Sequence, residues 1–238
     1  MNPIARGLLV LIAVLQAPLA LATSGADAAR WRLALGAGTD LPISVGGRLE
    51  LETPSRFRLS TSLGFLPGAY VDAINETVVG LGGYDQETAD LVKDALKSSL
   101  IWRTHLGYRV WRGLYLEAGY GLVTLGGSAV GGELFSAVTG ETVPPGAGAD
   151  RPFDLRSTLH MADVEVGWNF ALSRLGLRVA IGGAFTFAAS THVSAGYTPL
   201  SPQLAEEFAR AAEAYLDDVY TSYVFTPVLS VSASYALF

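Results

Sequence analysis

Along Tyr223–Phe238, YVFTPVLSVSASYALF, apolar residues alternate with small or polar ones, and the same two-residue period recurs in seven segments upstream. Successive side chains of a β-strand point to opposite faces, so each segment presents one apolar face and one of a different kind. The segments are Arg30–Gly38, Ile43–Glu52, Arg56–Leu66, Leu100–Trp111, Leu114–Leu125, Thr158–Phe170, Leu175–Ala188 and Tyr223–Leu237. Each has about the length a tilted strand needs to cross a bilayer.

One face carries residues such as Trp31, Leu35, Phe57, Leu63, Trp102, Leu106, Leu116, Val166, Ile181 and Leu229, and almost no charge. The opposite face carries Arg32, Arg48, Glu50, Arg58, Arg103, His105, Arg109, Glu117, Asp163, Glu165 and Arg178, separated largely by Gly, Ala and Ser. A lipid-compatible outside and a charged inside are the polarity of a membrane barrel; a soluble barrel or sandwich has it inverted. Aromatic residues gather at the segment ends, with Trp31, Phe57, Trp168 and Tyr235 at one rim and Phe65, Trp102, Phe187 and Tyr223 at the other, as interfacial girdles do. The polarity slips near His160–Asp163, which predicts a β-bulge there.

The connections are as asymmetric as the faces. Thr53–Ser55, Arg112–Gly113 and Ala171–Arg174 are tight turns on one edge, whereas Pro67–Ser99, Gly126–Ser157 and Ala189–Ser222 are long and all lie on the other, beside the short Thr39–Pro42. Short periplasmic turns and long external loops fit an even-stranded barrel that closes without a free edge. The fold expected is therefore all-β, an eight-stranded antiparallel up-and-down transmembrane β-barrel with short helices in the long external loops. Helical spacing predicts one helix over Asp85–Ser99. A second starts at Ser201-Pro202, with Leu204, Phe208, Ala211, Tyr215 and Val219 as its apolar stripe. Both stripes are expected to pack over the barrel mouth. Gly126–Ser157, rich in Gly, Ala, Pro and Thr, reads as a mobile loop without a chemical signal.

Half of the residues are apolar and only 16 % charged. No later apolar stretch approaches the ~18 residues of a spanning helix, so strands must account for that apolar surface. Met1–Arg6 carries one positive charge, Gly7–Leu15 is uninterruptedly apolar, and Ala20-Leu21-Ala22 offers a small-x-small cleavage site. This is the pattern of a secretory signal peptide. The expected organisation is residues 1–22 as signal, 23–29 as a short linker and 30–238 as one barrel domain, in the bacterial outer membrane. The chain has no Cys and a net charge of −6, one unit more negative once Arg6 is lost, which argues against nucleic acid.

From Arg30 onward the pattern resembles the small eight-stranded outer-membrane barrels, the OmpA-type transmembrane domains and their OmpX- and OmpW-like relatives. The resemblance rests on strand number, loop asymmetry and the terminal Phe238, which in such families belongs to the assembly signal; here Tyr235 lies three residues before it. It implies a barrel narrow enough to be filled by side chains. The charges on the inner face then form a paired network, within which His105 is a member rather than a base. The role expected is structural or in surface interaction. A narrow channel or conduit for small or apolar solutes is the alternative, suggested by small inward residues such as Gly119, Gly121, Gly182, Ser230 and Ser232.

A third reading comes from His192-Val193-Ser194, which is similar to the His-x-Ser of the lipid A 3-O-deacylases. That resemblance implies His192 as base, Ser194 as nucleophile and Glu206 or Glu207 as the group orienting the imidazole. Ala195 stands where that family has Asn, and strand alternation places His192 and Ser194 in phase with the inward Arg178. No cofactor or metal is expected, and a monomer is. The expected partners are outer-membrane lipids, lipopolysaccharide among them, and the outer-membrane assembly machinery.

Overall fold

A computed structural model describes residues 31–72, 76, 98–141, 149–223 and 225–238. The segments expected as signal and linker, and most of the helix expected over Asp85–Ser99, lie outside the described residues. Eight strands close one antiparallel barrel in sequence order: β1 Arg32–Leu41, β2 Ser44–Glu52, β3 Phe57–Phe65, β4 Ser98–Trp111, β5 Leu114–Val130, β6 Pro152–Leu172, β7 Leu175–Ala195 and β8 Phe225–Ala236. The ring closes where β1 meets β8, from Ala34 opposite Ala236 to Leu41 opposite Leu229. The long connections after β5 and β7 carry helices, α1 Gly131–Thr139 and α2 Pro202–Tyr223.

The period-two pattern holds around the ring. Leu35, Leu63, Leu106, Val164 and Ile181 face out and are each more than half exposed, while Arg48, Arg103, Glu117, Glu165 and Arg178 face in and are buried. Three tight turns at one rim place Arg56, Arg112 and Ser173 at positive φ (72°, 46° and 59°). In the first, Thr53 closes the turn twice over: its N–H donates to the Phe57 carbonyl at 2.8 Å and its Oγ1 accepts the Phe57 N–H at 3.0 Å.

The molecule departs from three expectations. Gly126–Ser157 is largely regular structure: Gly126–Val130 extends β5, Pro152–Ser157 extends β6, and α1 lies between them. Together with the end of β7 they form a three-stranded wall that rises past the other strands. Ser98 and Ser99, expected to end a helix, open β4 instead. The helix at Pro202 forms, but its buried stripe is rotated from the expected one. Ala209, Ala212, Phe208 and Leu216 turn inward, leaving Leu204 and Tyr215 exposed. Two alanines on the contact side let the helix lie close against the wall, where larger residues would hold it off.

The expected bulge is present, and its extra residue is on β7. Met161 pairs with Thr186 and His160 with Ala188, so Phe187 has no partner opposite. The alternation of β6 runs unbroken through Leu159, Met161 and Asp163, all buried. That of β7 inverts, so Thr186 points in before the bulge and Thr191 and Val193 point in after it.

Inside, the molecule has three storeys. The lowest is charged. Above it Ile101, Val123, Leu159, Met161, Ala184 and Val228 form an apolar layer, with Tyr220 of α2 packed on top. Burial raises the Tyr220 phenol above its ordinary pKa. The third storey is a small core between wall and helices, made by Ala129, Leu134, Phe153, Leu155, Val193, Ala209 and Ala212.

Candidate functional site

The charged storey is one connected lattice. At its centre Glu165, fully buried, accepts from Arg103 at 2.7 Å and from Arg178 at 2.8 Å. Arg178 reaches on to Glu117 at 2.6 Å, and Glu117 also lies 3.4 Å from both Arg48 and Arg58. Both of those guanidiniums meet Glu50, Arg48 at 3.2 Å and Arg58 in a closer contact. At the other end Arg103 joins Asp163 at 3.1 Å and Asp40 at 2.8 Å. His105 Nε2 lies 2.9 Å from Asp163 Oδ1 and 3.7 Å from Glu165 Oε1.

Buried charges persist only where each is paired and hydrogen-bonded, and here four guanidiniums and an imidazole face five carboxylates. The uncharged lining completes the fit. Ser60 accepts from Arg48 at 2.9 Å, and Ser230 donates to Glu165 at 3.3 Å. The guanidiniums of Arg58 and Arg178 both pack on the Tyr115 ring, each 4.9 Å from its centroid. Two glycines make room: a Cβ on Gly167 would meet Tyr115 Cζ and Ala180 Cβ at 2.6 Å, and one on Gly119 would strike Asp163 Oδ1 at 2.5 Å.

The alternation thus brings together nine of the residues expected to point inward: Arg48, Glu50, Arg58, Arg103, His105, Glu117, Asp163, Glu165 and Arg178. Arg32 and Arg109 face the same way but sit at the rim of the tight turns, where Arg109 pairs with Glu52 at 2.9 Å outside the lattice. Asp40 and Tyr115 join the site without a signal of their own in the sequence reading. Asp40 lies near the end of β1, two residues past Gly38 and in inward phase, and Tyr115 shares its phase with Glu117.

His105, Asp163 and Glu165 hold ligand-type atoms within 4.8 Å of one another, a grouping a metal ion can use. Arg103 already supplies positive charge to both carboxylates, so the lattice is neutralised from within. The lattice has little free volume. One cavity of about 20 Å³ lies on its turn side, beside Arg32, Glu50, Arg58 and Ser234. Another of about 10 Å³ lies beyond Arg48, beside Gly38, Asp40 and Ser232. Each has room for about one water molecule.

His192 and Ser194 are not in this interior. The inversion at Phe187 turns both outward, against the expected phase with Arg178, and both are exposed. The carboxylate beside the imidazole is neither Glu206 nor Glu207. His192 Nδ1 lies 3.1 Å from Glu213 Oε1 on α2, which also accepts the Val193 N–H at 2.9 Å. Glu206 lies 3.7 Å from Arg210 on the same helix. Among the described residues Ser194 makes no side-chain hydrogen bond, to His192 or to any other group.

No family model matches the chain, and a search of curated proteins found no similar sequence. Solved structures similar to it include CarO2 of Acinetobacter baumannii, at 12 % identity over 86 % of this chain and 98 % of that one, with a TM-score of 0.39. CarO of the same organism is similar at 12 % identity over 86 % and 97 % of the two chains, TM-score 0.35. A major outer membrane protein from Thermus thermophilus is similar at 14 % identity over 87 % and 98 %, TM-score 0.39. Likenesses this distant say nothing of what the present chain does.

Proposed function

We propose that this protein is a bacterial outer-membrane barrel whose interior is a closed, charge-paired plug and whose role is structural or in surface interaction through its outer wall. The membrane part of the reading is supported by the apolar belt. On β6 the aromatic Trp168 and the outward His160, hydrogen-bonded to Tyr120 at 2.6 Å, bracket outward Val166, Val164 and Ala162. Eight tilted residues rise roughly 20 Å, close to the apolar band of such barrels. Val164→Arg, midway in that band, is expected to lower the unfolding free energy in lipid vesicles by about 2–4 kcal/mol, measured by urea titration. An unchanged midpoint would mean that lipid does not cover this face.

The observation that carries the plug is the stacking of two closures. Every inward guanidinium of the lattice is bound to carboxylate, and the apolar layer of Ile101, Val123, Leu159 and Met161 closes the bore above it. Refolded protein in phosphatidylcholine vesicles is therefore expected to show no reproducible ion conductance and no leakage of small solutes. Steady conductance that Arg103→Ala alters would replace this reading with a transport path. The channel alternative has one observation in its favour, since the two small cavities lie on either side of the Arg48–Glu50 pair. Arg48→Ala is the variant in which a latent path would first conduct.

A further inference from the structure

The outer face of the wall changes character abruptly at the bulge. Below it the outward residues of β5–β7 are Tyr120, Leu122, Val164, Phe185 and Phe187. Above it the three strands present rows of cross-strand partners that are almost wholly polar. Gly126, Arg156 and His192 stand side by side, and the next row holds Ser128, Asp154 and Ser194. All but Gly126 are exposed.

We infer that this face docks the phosphorylated sugar headgroup of an outer-leaflet glycolipid whose acyl chains lie against the apolar belt directly below. The inference rests on the membrane reading of the barrel and adds to it a lipid chemistry and a place. Four observations carry it. Arg156 and Asp154 make no ion pair with any described residue, although both kinds of group recur in the paired interior. Gly126, opposite Arg156, puts no side chain beside the guanidinium on the β5 side, so its planar edge is open to a phosphate. His192 is held at Nδ1 by Glu213, which leaves Nε2 without a described partner on a side chain that is largely exposed. The patch also lies directly above the apolar belt: Arg156 is four residues beyond His160 on β6, a rise of about 10 Å with strand tilt, which is headgroup height.

The chemistry selects the headgroup. Arg156 and His192 bind phosphate oxygens, and Asp154 with the flanking serines accepts and donates hydrogen bonds to sugar hydroxyls. A phosphocholine headgroup meets only half of this, because its quaternary ammonium has no N–H or O–H to offer Asp154.

The test uses the refolded full chain in phosphatidylcholine nanodiscs, titrated with lipid A carrying its phosphates and with the same lipid dephosphorylated. Bound glycolipid is counted by native mass spectrometry. The wild type is expected to retain the phosphorylated lipid in preference to the dephosphorylated one. Arg156→Ala should weaken retention about tenfold, the loss of one charge-assisted contact. Arg112→Ala, at the opposite rim, should retain the lipid as the wild type does. Equal retention by wild type and Arg156→Ala, or no preference for the phosphorylated lipid, overturns the docking face while leaving the barrel reading intact. Failure of the wild type to enter any bilayer, judged by circular dichroism and protease resistance, overturns both.

Discussion

Glu165→Ala should be the most damaging single change in the barrel, lowering the unfolding free energy by at least about 3–5 kcal/mol or preventing refolding outright. The carboxylate accepts from Arg103 and Arg178 and lies near His105, and none of these groups can reach solvent without opening the ring. Removing it takes one partner from each of Arg103 and Arg178, which keep only Asp40, Asp163 and Glu117, and leaves buried N–H donors unfilled, a loss that costs far more than the pair contributes. Glu165→Gln keeps a hydrogen-bond acceptor and the volume but not the charge, so its loss should be smaller. Urea titration of refolding in vesicles, read by tryptophan fluorescence, measures all three proteins. Equal midpoints for wild type and Glu165→Ala would show that the lattice is not the structural centre of the barrel.

The second large effect concerns packing. Gly167→Ala sets a methyl 2.6 Å from both Tyr115 Cζ and Ala180 Cβ, closer than carbon atoms pack. Tyr115 has little room to yield, because it is buried and the guanidiniums of Arg58 and Arg178 both pack on its ring. A cost of about 1–3 kcal/mol is expected for this overpacking. The same substitution in a Tyr115→Ala background should cost less, since the ring is gone and only the contact with Ala180 remains. A double-mutant cycle with a coupling energy near zero would refute the account.

The strands are legible in the sequence because each carries two unlike faces, and nine of the inward charges follow from phase alone. What escapes the sequence does so for physical reasons. Arg32 and Arg109 share the inward phase, but phase does not report height, and at a strand end an inward side chain lies outside the lattice, where Arg109 pairs with Glu52. Asp40 is hidden because Thr39–Pro42 resembles a turn, although β1 runs to Leu41. The apolar storey is invisible for another reason. Around Ile101 and Val123 the outward Leu100, Trp102 and Leu122 are apolar too, so the inner residues merge with the outer belt. On β6 the polar Thr158 and His160 lie on the outer face beside Leu159 and Met161, the reverse of a clean two-faced pattern. The inversion in β7 falls within Phe187-Ala188-Ala189, where small and apolar neighbours fit either side. His192 and Ser194 therefore point opposite to the direction that phase predicts. The wall itself resembles a loop in sequence because Gly and Pro punctuate it.

The bond from the Val193 N–H to Glu213 has a bearing on how copies of the barrel meet one another. β8 pairs with β7 only as far as Phe185 opposite Phe225, so the last stretch of β7 stands beyond the reach of its neighbour in the ring. An uncovered strand of that length is a template on which another copy can zip, hydrogen bond by hydrogen bond. α2 lies along it, and Glu213 takes one of the donors such zipping would need. The helix thus covers an edge on which copies would otherwise join, and loosening it should show first as copies joined edge to edge.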